Sequence, residues 1–295
     1  MSEASRDSEI KKWISGARPR TLPAAIAPVL VGTALRHSDH RAINPFNALL
    51  ALAVSLALQI AVNYSNDYSD GVKGTDDNRV GPMRLVASGA ASAQAVKRAA
   101  ILSFLIASVF GVLLASRVSW WMILVGAVAI LAAWNYTGGA RPYGYRGFGE
   151  ISVFLFFGLV ATIGSYVAQS DHISWQSFLV AIPVGALSCG ILAVNNLRDL
   201  PKDAVVGKRT LAVRLGDRSA RVLFVALLSV AHGSALLATV ITPWAALSVL
   251  ALPLTVRVIK TIYAGASGQD LIPVLGQVGK VQLLLSTTLA ISLLL

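Results

Sequence analysis

Apolar runs of roughly 17 to 22 residues recur along the whole chain, separated by short polar breaks, and this spacing constrains the fold more than any other feature. A helix needs about 20 apolar residues to cross a hydrocarbon core of ~30 Å. Nine runs of that order are read, at roughly 21–37, 45–65, 98–116, 119–136, 150–169, 175–196, 221–240, 243–261 and 274–295. Lipid satisfies no backbone N–H or C=O, so a chain built this way must close its hydrogen bonds within helices. With 55% hydrophobic and 13% charged residues, composition agrees with a polytopic membrane protein and not with a soluble domain. The expected fold class is all-α, a bundle of nine transmembrane helices. It forms a single domain over 21–295, preceded by an N-terminal cytoplasmic or interfacial segment over 1–20. Pro23 and Pro28 interrupt the first run; Glu3, Asp7 and Glu9 precede it and no small-x-small cleavage site follows, which favours a retained helix over a signal peptide.

The net charge of +11 would suggest nucleic acid in a soluble protein. Its distribution points elsewhere. With a cytoplasmic N-terminus, 22 of the 25 Lys and Arg fall on the inner side and only Arg36, Arg41 and Arg117 on the outer, the positive-inside bias of a membrane protein. No nucleic-acid partner is inferred; the expected place is the plasma membrane, multi-pass, with the long polar loops on the cytoplasmic face. The six tryptophans fall near predicted helix ends and read as interface anchors. Cys189 is the single cysteine, which rules out an internal disulfide, and the four histidines lack metal-site spacing.

Two polar stretches break this oily pattern: Asn63-Tyr64-Ser65-Asn66-Asp67-Tyr68-Ser69-Asp70 running on to Asp76, and Asn195-Asn196-Leu197-Arg198-Asp199 running on to Asp203. Ionisable groups at the end of an apolar helix are costly and mark a functional site by default. The second and sixth runs point the same way, so both clusters emerge on one face, at corresponding places in a four-helix period that suggests internal duplication with the ninth helix as an appendage. On a helix, Asn66 and Asp70 share a face, Asn63 and Asp67 make a neighbouring pair, and Asn195, Asp199 and Asp203 form a stripe. Pro201 suggests a kink between Asp199 and Asp203. Hard oxygen ligands without His or Cys suit Mg²⁺, and two clusters on one face imply two or more ions bridging a diphosphate. Lys73, Arg79, Arg84, Lys202, Lys208 and Arg209 are the cations expected to complete the charge balance. Asn and Asp also terminate helices, and an ion-coupled transporter can use intramembrane Asp and Asn, but neither role needs basic residues beside each cluster.

Asn66-Asp67-x-x-Asp70, followed by Arg79 and Ser88-Gly89, and then Asp199-x-x-x-Asp203-x-x-x-Gly207-Lys208-Arg209-Thr210-Leu211-Ala212-Val213-x-Leu215-Gly216, resemble the two signature motifs of the UbiA superfamily of intramembrane aromatic prenyltransferases. The resemblance implies a helical bundle around a central cavity, with Mg²⁺ held by Asn66, Asp70, Asp199 and Asp203, joined by Asn195 from the stripe. Gly74 stands where the common first motif has its last Asp, and Asp76 comes two residues later. That pattern resembles the branch that prenylates 1,4-dihydroxy-2-naphthoate in menaquinone synthesis, as do Ala17-Arg18-Pro19-Arg20-Thr21-Leu22-Pro23 and Tyr145-Arg146-Gly147-Phe148-Gly149-Glu150. Ala140-Arg141-Pro142-Tyr143 departs from the Gly-Pro-x-Pro-Leu-like sequence expected there.

The resemblance implies transfer of a polyprenyl group from polyprenyl diphosphate to the naphthoate, with loss of diphosphate and carbon dioxide. Asp67 or Asp76 is expected to help deprotonate the ring hydroxyl. Arg18, Arg20 or Arg141 is expected to hold the acceptor carboxylate, and Tyr68, Tyr136, Tyr143 or Tyr145 to present a π face to the allylic cation. Other aromatic acceptors such as 4-hydroxybenzoate remain alternatives within the family, as does a transporter outside it.

Overall fold

The computed structural model describes residues 3–76 and 80–295, so Arg79, one of the expected cations, lies outside the described residues. Ten helical elements follow one another: α1 Glu3–Ala17, α2 Pro23–Ser38, α3 Pro45–Val72, α4 Ala93–Arg117, α5 Trp121–Thr137, α6 Gly149–Ser170, α7 Trp175–Val205, α8 Leu211–Val240, α9 Pro243–Tyr263 and α10 Gly268–Leu294. Among the described residues there is no strand. Seven of these helices, α3, α4 and α6 to α10, are long and apolar enough to cross a membrane. Helices α2 and α5 match the two remaining apolar runs but are shorter, at 16 and 17 residues.

Local chemistry sets the starts. Asn44 Oδ1 accepts from the N–H groups of Phe46 and Asn47 at 3.1 Å ahead of Pro45, and Ser92, Ser174 and Thr210 cap α4, α7 and α8 in the same way. The ends run further than the apolar runs predict. Helix α3 carries on through the first acidic cluster to Val72, and α7 continues through Pro201 to Val205. The helix runs unbroken from Asp199 through Pro201 to Asp203. Helix α8 begins at Leu211, ahead of the expected 221; a kink at Gly216, whose φ of 77° glycine adopts without steric cost, separates its first turn from the rest.

Within the bundle α3 packs against α4 and α5, and α7 against α8, so each acidic cluster ends one arm of a helical hairpin. Helix α6 takes a π-helical course over Phe154–Val160 and crosses α7 where two glycines meet; a Cβ on Gly158 would stand 2.6 Å from Gly185 Cα. Small residues let helix backbones approach this closely in lipid, where packing replaces the hydrophobic effect between helices. Helix α10 is no appendage. It lies between α2, α7 and α9, with Val278, Val281, Leu285 and Leu289 fully buried, and closes the bundle. Helices α4 and α5 turn Leu102, Leu105, Val109, Leu124, Val128 and Leu131 outward, an apolar face suited to lipid. Trp120, Trp121, Trp175 and Trp244 are exposed near helix ends, as interface anchors would be, whereas Trp13 packs against Tyr64 and Trp134 against Tyr68 and Phe104.

Helix α1 packs onto α3. Trp13 meets Tyr64 edge to face at 5.9 Å, the Tyr64 hydroxyl donates to the Trp13 carbonyl at 2.8 Å, and Gly16 is packed against Leu85 and Tyr64.

Candidate active site

A cavity of about 440 Å³ opens at the end of the bundle where α3, α5 and α7 finish. Both acidic clusters line it: Asn66, Asp70 and Asp76 from one, Asn195, Asn196, Asp199 and Asp203 from the other. All five residues expected to hold metal are thus brought to one wall-to-wall space. Arg84, Lys202 and Lys208 line the same cavity, as do Arg18 and Arg20 from the strap that joins α1 to α2.

The two clusters are tied together. Lys208, in the turn after α7, places Nζ 3.2 Å from Asp70 Oδ2 at the end of α3. The Tyr145 hydroxyl donates to Asp70 Oδ1 at 2.5 Å, and Lys208 Nζ lies 4.6 Å from the Tyr145 ring centre. Lys208 is held by its own N–H, which donates to the Asp203 carbonyl at 2.9 Å, and Arg209 N donates to the Tyr145 carbonyl at 2.8 Å. Thr75 hydrogen-bonds both the Asp70 carbonyl and the Tyr145 hydroxyl. Burial first, then Asp70, pushes the Tyr145 phenol above its ordinary pKa, so it acts as a neutral donor.

In the second cluster Arg198, 4% exposed, grips Asp199 through Nε and Nη2, both at 2.8 Å. The loop from the first cluster closes on this guanidinium: a Cβ at Gly81 would lie 3.3 Å from Arg198 Cζ. Asp76 pairs with Arg84 at 3.1 Å. Among the described residues no three acidic, His or Cys groups converge as placed to hold an ion by themselves.

Several expected roles do not fit. Asp67 is fully buried and away from the cavity, its two oxygens accepting from the N–H groups of Leu85 and Val86 at 2.9 and 3.0 Å. It anchors the loop after the first cluster and is not poised to take a proton from substrate. Tyr143 donates to the Ala132 carbonyl at 2.8 Å and meets Ser152, packing inside the helices. Arg141, Arg209 and Lys73 are exposed and outside the lining, and Lys73 donates to the Thr137 carbonyl at 2.6 Å. Tyr68 faces Lys97 and Trp134, which leaves Tyr136 and Tyr145 as the cavity's tyrosines. Asn63 holds the strap: its Nδ2 donates to the Ala17 carbonyl at 2.8 Å and to Thr21 Oγ1 at 3.0 Å, while Arg18 Nη2 reaches its carbonyl at 3.1 Å.

The model of the UbiA prenyltransferase family matches residues 25–270, most of the chain. The chain belongs to this family. The 1,4-dihydroxy-2-naphthoate octaprenyltransferase of Mycobacterium tuberculosis is 48% identical over 279 residues, 95% of each chain. Among solved structures, an apo UbiA homologue from Aeropyrum pernix K1 matches with a TM-score of 0.70 at 17% identity, over 90% of this chain and 97% of that one. A UbiA homologue from Archaeoglobus fulgidus bound to GPP and Mg²⁺ matches at 0.68 and 14% identity, over 96% and 99%. At such identities the structural likeness establishes the UbiA fold.

Within this UbiA site, sequence reasoning assigned no role to Arg198, Asn196 or Glu150. Arg198 and Asn196 stood inside the second cluster, where a cation directly ahead of Asp199 could have been suspected. Glu150, a lone acid at the start of a long apolar run, was the available signal for the third.

Proposed function

We infer that the protein transfers a polyprenyl group from polyprenyl diphosphate to 1,4-dihydroxy-2-naphthoate, releasing diphosphate and carbon dioxide and giving demethylmenaquinol. One observation carries the reading: a single cavity lined at once by both acidic clusters and by Arg84, Lys202 and Lys208. The choice of naphthoate among aromatic acceptors rests on the 48% identity to a protein of that name.

Asn66, Asp70, Asn195, Asp199 and Asp203 offer only hard oxygen and amide donors to the cavity, which fits Mg²⁺. Bound there, two or more ions would neutralise the charge that develops on a departing diphosphate. The chain's own cations do related work. Lys202, Lys208 and Arg84 attract and orient the diphosphate, and Lys208 is pre-positioned by its bond to Asp70. Tyr136 and Tyr145 offer π faces to the allylic cation where water is scarce. Arg18 and Arg20 reach the acceptor carboxylate from the strap, and Asp76, the other of the two candidates, is the carboxylate that accepts the ring hydroxyl's proton. The ring is electron-rich and needs no protein nucleophile.

The membrane reading completes this picture. Helices α2 and α5, though short, add two crossings to the seven long helices and enclose a central cavity. The cavity end faces the cytoplasm at the plasma membrane, and the prenyl tail stays in lipid while its diphosphate enters the site.

The deciding experiment supplies purified protein in lipid with 1,4-dihydroxy-2-naphthoate and a polyprenyl diphosphate, with and without Mg²⁺, and detects product by mass spectrometry. A prenylated, decarboxylated product that requires Mg²⁺ is expected. Prenylation of 4-hydroxybenzoate in its place would overturn the acceptor, and silence with every acceptor would restore the transporter reading.

A further inference from the structure

Behind the cavity wall lies an acid that the mechanism above leaves unused. Glu150, the second residue of α6, is 8% exposed. Its Oε1 accepts from Asn196 Nδ2 at 2.9 Å, and its Oε2 is buried with no hydrogen-bond partner among the described residues. Its backbone carbonyl accepts from the Cys189 thiol at 3.2 Å, which fixes the start of α6 against α7. A half-satisfied carboxyl among apolar helices costs stability, so its retention calls for a reason.

Asn196 supplies one. It lines the cavity beside Leu192 and Tyr136. Because its amide nitrogen is turned back to Glu150, its Oδ1 carries no hydrogen bond among the described residues and is left as an acceptor for the cavity. Neighbouring Asn195 differs: its Nδ2 turns to the Ile191 carbonyl of its own helix at 3.3 Å. The rest of the polar lining is made of cations, expected metal ligands, Asp76, two tyrosines and hydroxyls, of which those of Thr21, Thr75 and Thr137 donate to protein oxygens. Asn196 Oδ1 is a neutral acceptor on a part of the wall shared with an aromatic ring and a leucine, which suits the hydroxyl of a flat aromatic molecule.

We propose that Glu150 is a positioning residue for the aromatic acceptor: it locks the Asn196 amide so that Asn196 Oδ1 receives a ring hydroxyl. The inference rests on the aromatic-prenyltransferase reading above. It requires no proton transfer by Glu150, and it makes Glu150 matter only through Asn196.

Steady-state kinetics of N196A, E150L, E150Q and the double variant E150L/N196A in lipid test it, with the acceptor and the prenyl diphosphate varied separately. N196A and E150L each should raise the acceptor KM about tenfold, the worth of one hydrogen bond, while KM for the prenyl diphosphate stays within twofold. The double variant should be no worse than N196A, since the two residues act as one unit. E150Q, whose side-chain oxygen still accepts from Asn196, should recover most of the loss. Additive losses in acceptor KM, or an E150Q with kcat abolished at an unchanged acceptor KM, would overturn the proposal, the latter by making Glu150 a proton carrier. If E150L does not yield folded protein, the N196A and E150Q pair decides alone: an unchanged acceptor KM in N196A rejects the idea. Should wild type prefer another aromatic acceptor, the same ratios measured with that acceptor test the positioning role while the naphthoate reading fails separately.

Discussion

Lys208 and Asp70 are 138 residues apart in sequence and 3.2 Å apart in space, an ion pair that joins the turn after α7 to the end of α3. Both side chains are nearly buried, 9% and 6% exposed. Removing one member of such a pair strands the other charge and costs about 3 kcal/mol or more. Lys208→Met should therefore lower the apparent Tm of the metal-free protein by several degrees, with Mg²⁺ and inorganic diphosphate restoring part of it by supplying the missing positive charge at Asp70. Prenyl transfer should fall at least a hundredfold, with KM for the prenyl diphosphate raised. A variant with wild-type stability and KM would show that the pair joins nothing of consequence.

Asp67 gives a contrasting result because it works on the backbone. Its carboxylate receives two N–H groups, from Leu85 and Val86, and fixes the loop that carries Arg84 to the cavity. Asp67→Ala leaves one buried and one part-buried donor unmet, the buried one at about 1–3 kcal/mol by the usual desolvation cost and the other at less. The expected outcome is a clear drop in thermal stability and a raised KM for the prenyl diphosphate, with the pH profile of kcat unmoved. A shifted pH profile would return Asp67 to the role of base.

These two residues also show what was legible in the sequence. Helix type and number of apolar runs follow from hydropathy, and polar residues at a spacing of four fall on one face whatever the tertiary structure, so Asn66, Asp70, Asn195, Asp199 and Asp203, which all line the cavity, could be grouped from the chain alone. Asp67 stands beside Asn66 with the same chemistry, yet one residue along a helix is a rotation of about 100°, which turns it from the cavity to the loop behind. Arg141 and Arg209 belong to basic stretches, but their exposure depends on where loops settle, and loops carry no periodicity to read. Partner choice was equally hidden: nothing in the sequence tells that Arg198 closes on its neighbour Asp199, or that Asn63 is spent on the strap and not on a ligand.

The strap offers its own test. Asn63, with Gln59 beside it, holds Thr21 and the Ala17 carbonyl, and so sets where Arg18 and Arg20 enter the cavity. Asn63→Leu keeps the helix but breaks these bonds. Acceptor KM should rise about tenfold for each of N63L and R18M, and the double variant should fall short of the product, because both act on the same strap. Limited proteolysis near residues 17–21 should speed up in N63L. Full additivity, or unchanged cleavage, would mean that the strap is held elsewhere.

The pH dependence separates Tyr145 from Lys73. The Tyr145 phenol is raised above its ordinary value by burial and by Asp70, so it stays neutral through the working range and Tyr145→Phe should lower the rate without moving any limb of the pH profile. Lys73 is displaced the other way: burial pulls it below the ordinary lysine value of 10.5, opposed by Asp70 and reinforced by Lys208. The folded chain then binds that proton less tightly than the unfolded chain. Unfolding therefore takes up a proton in the alkaline range between the lowered value and 10.5, and stability contributed by this site rises with pH across that window. Its size is small, since Lys73 is largely exposed and screened. Lys73→Met removes the titration. Apparent Tm of the variant, measured against wild type across that window, should lose the upward slope; a slope that persists unchanged would assign it to another group.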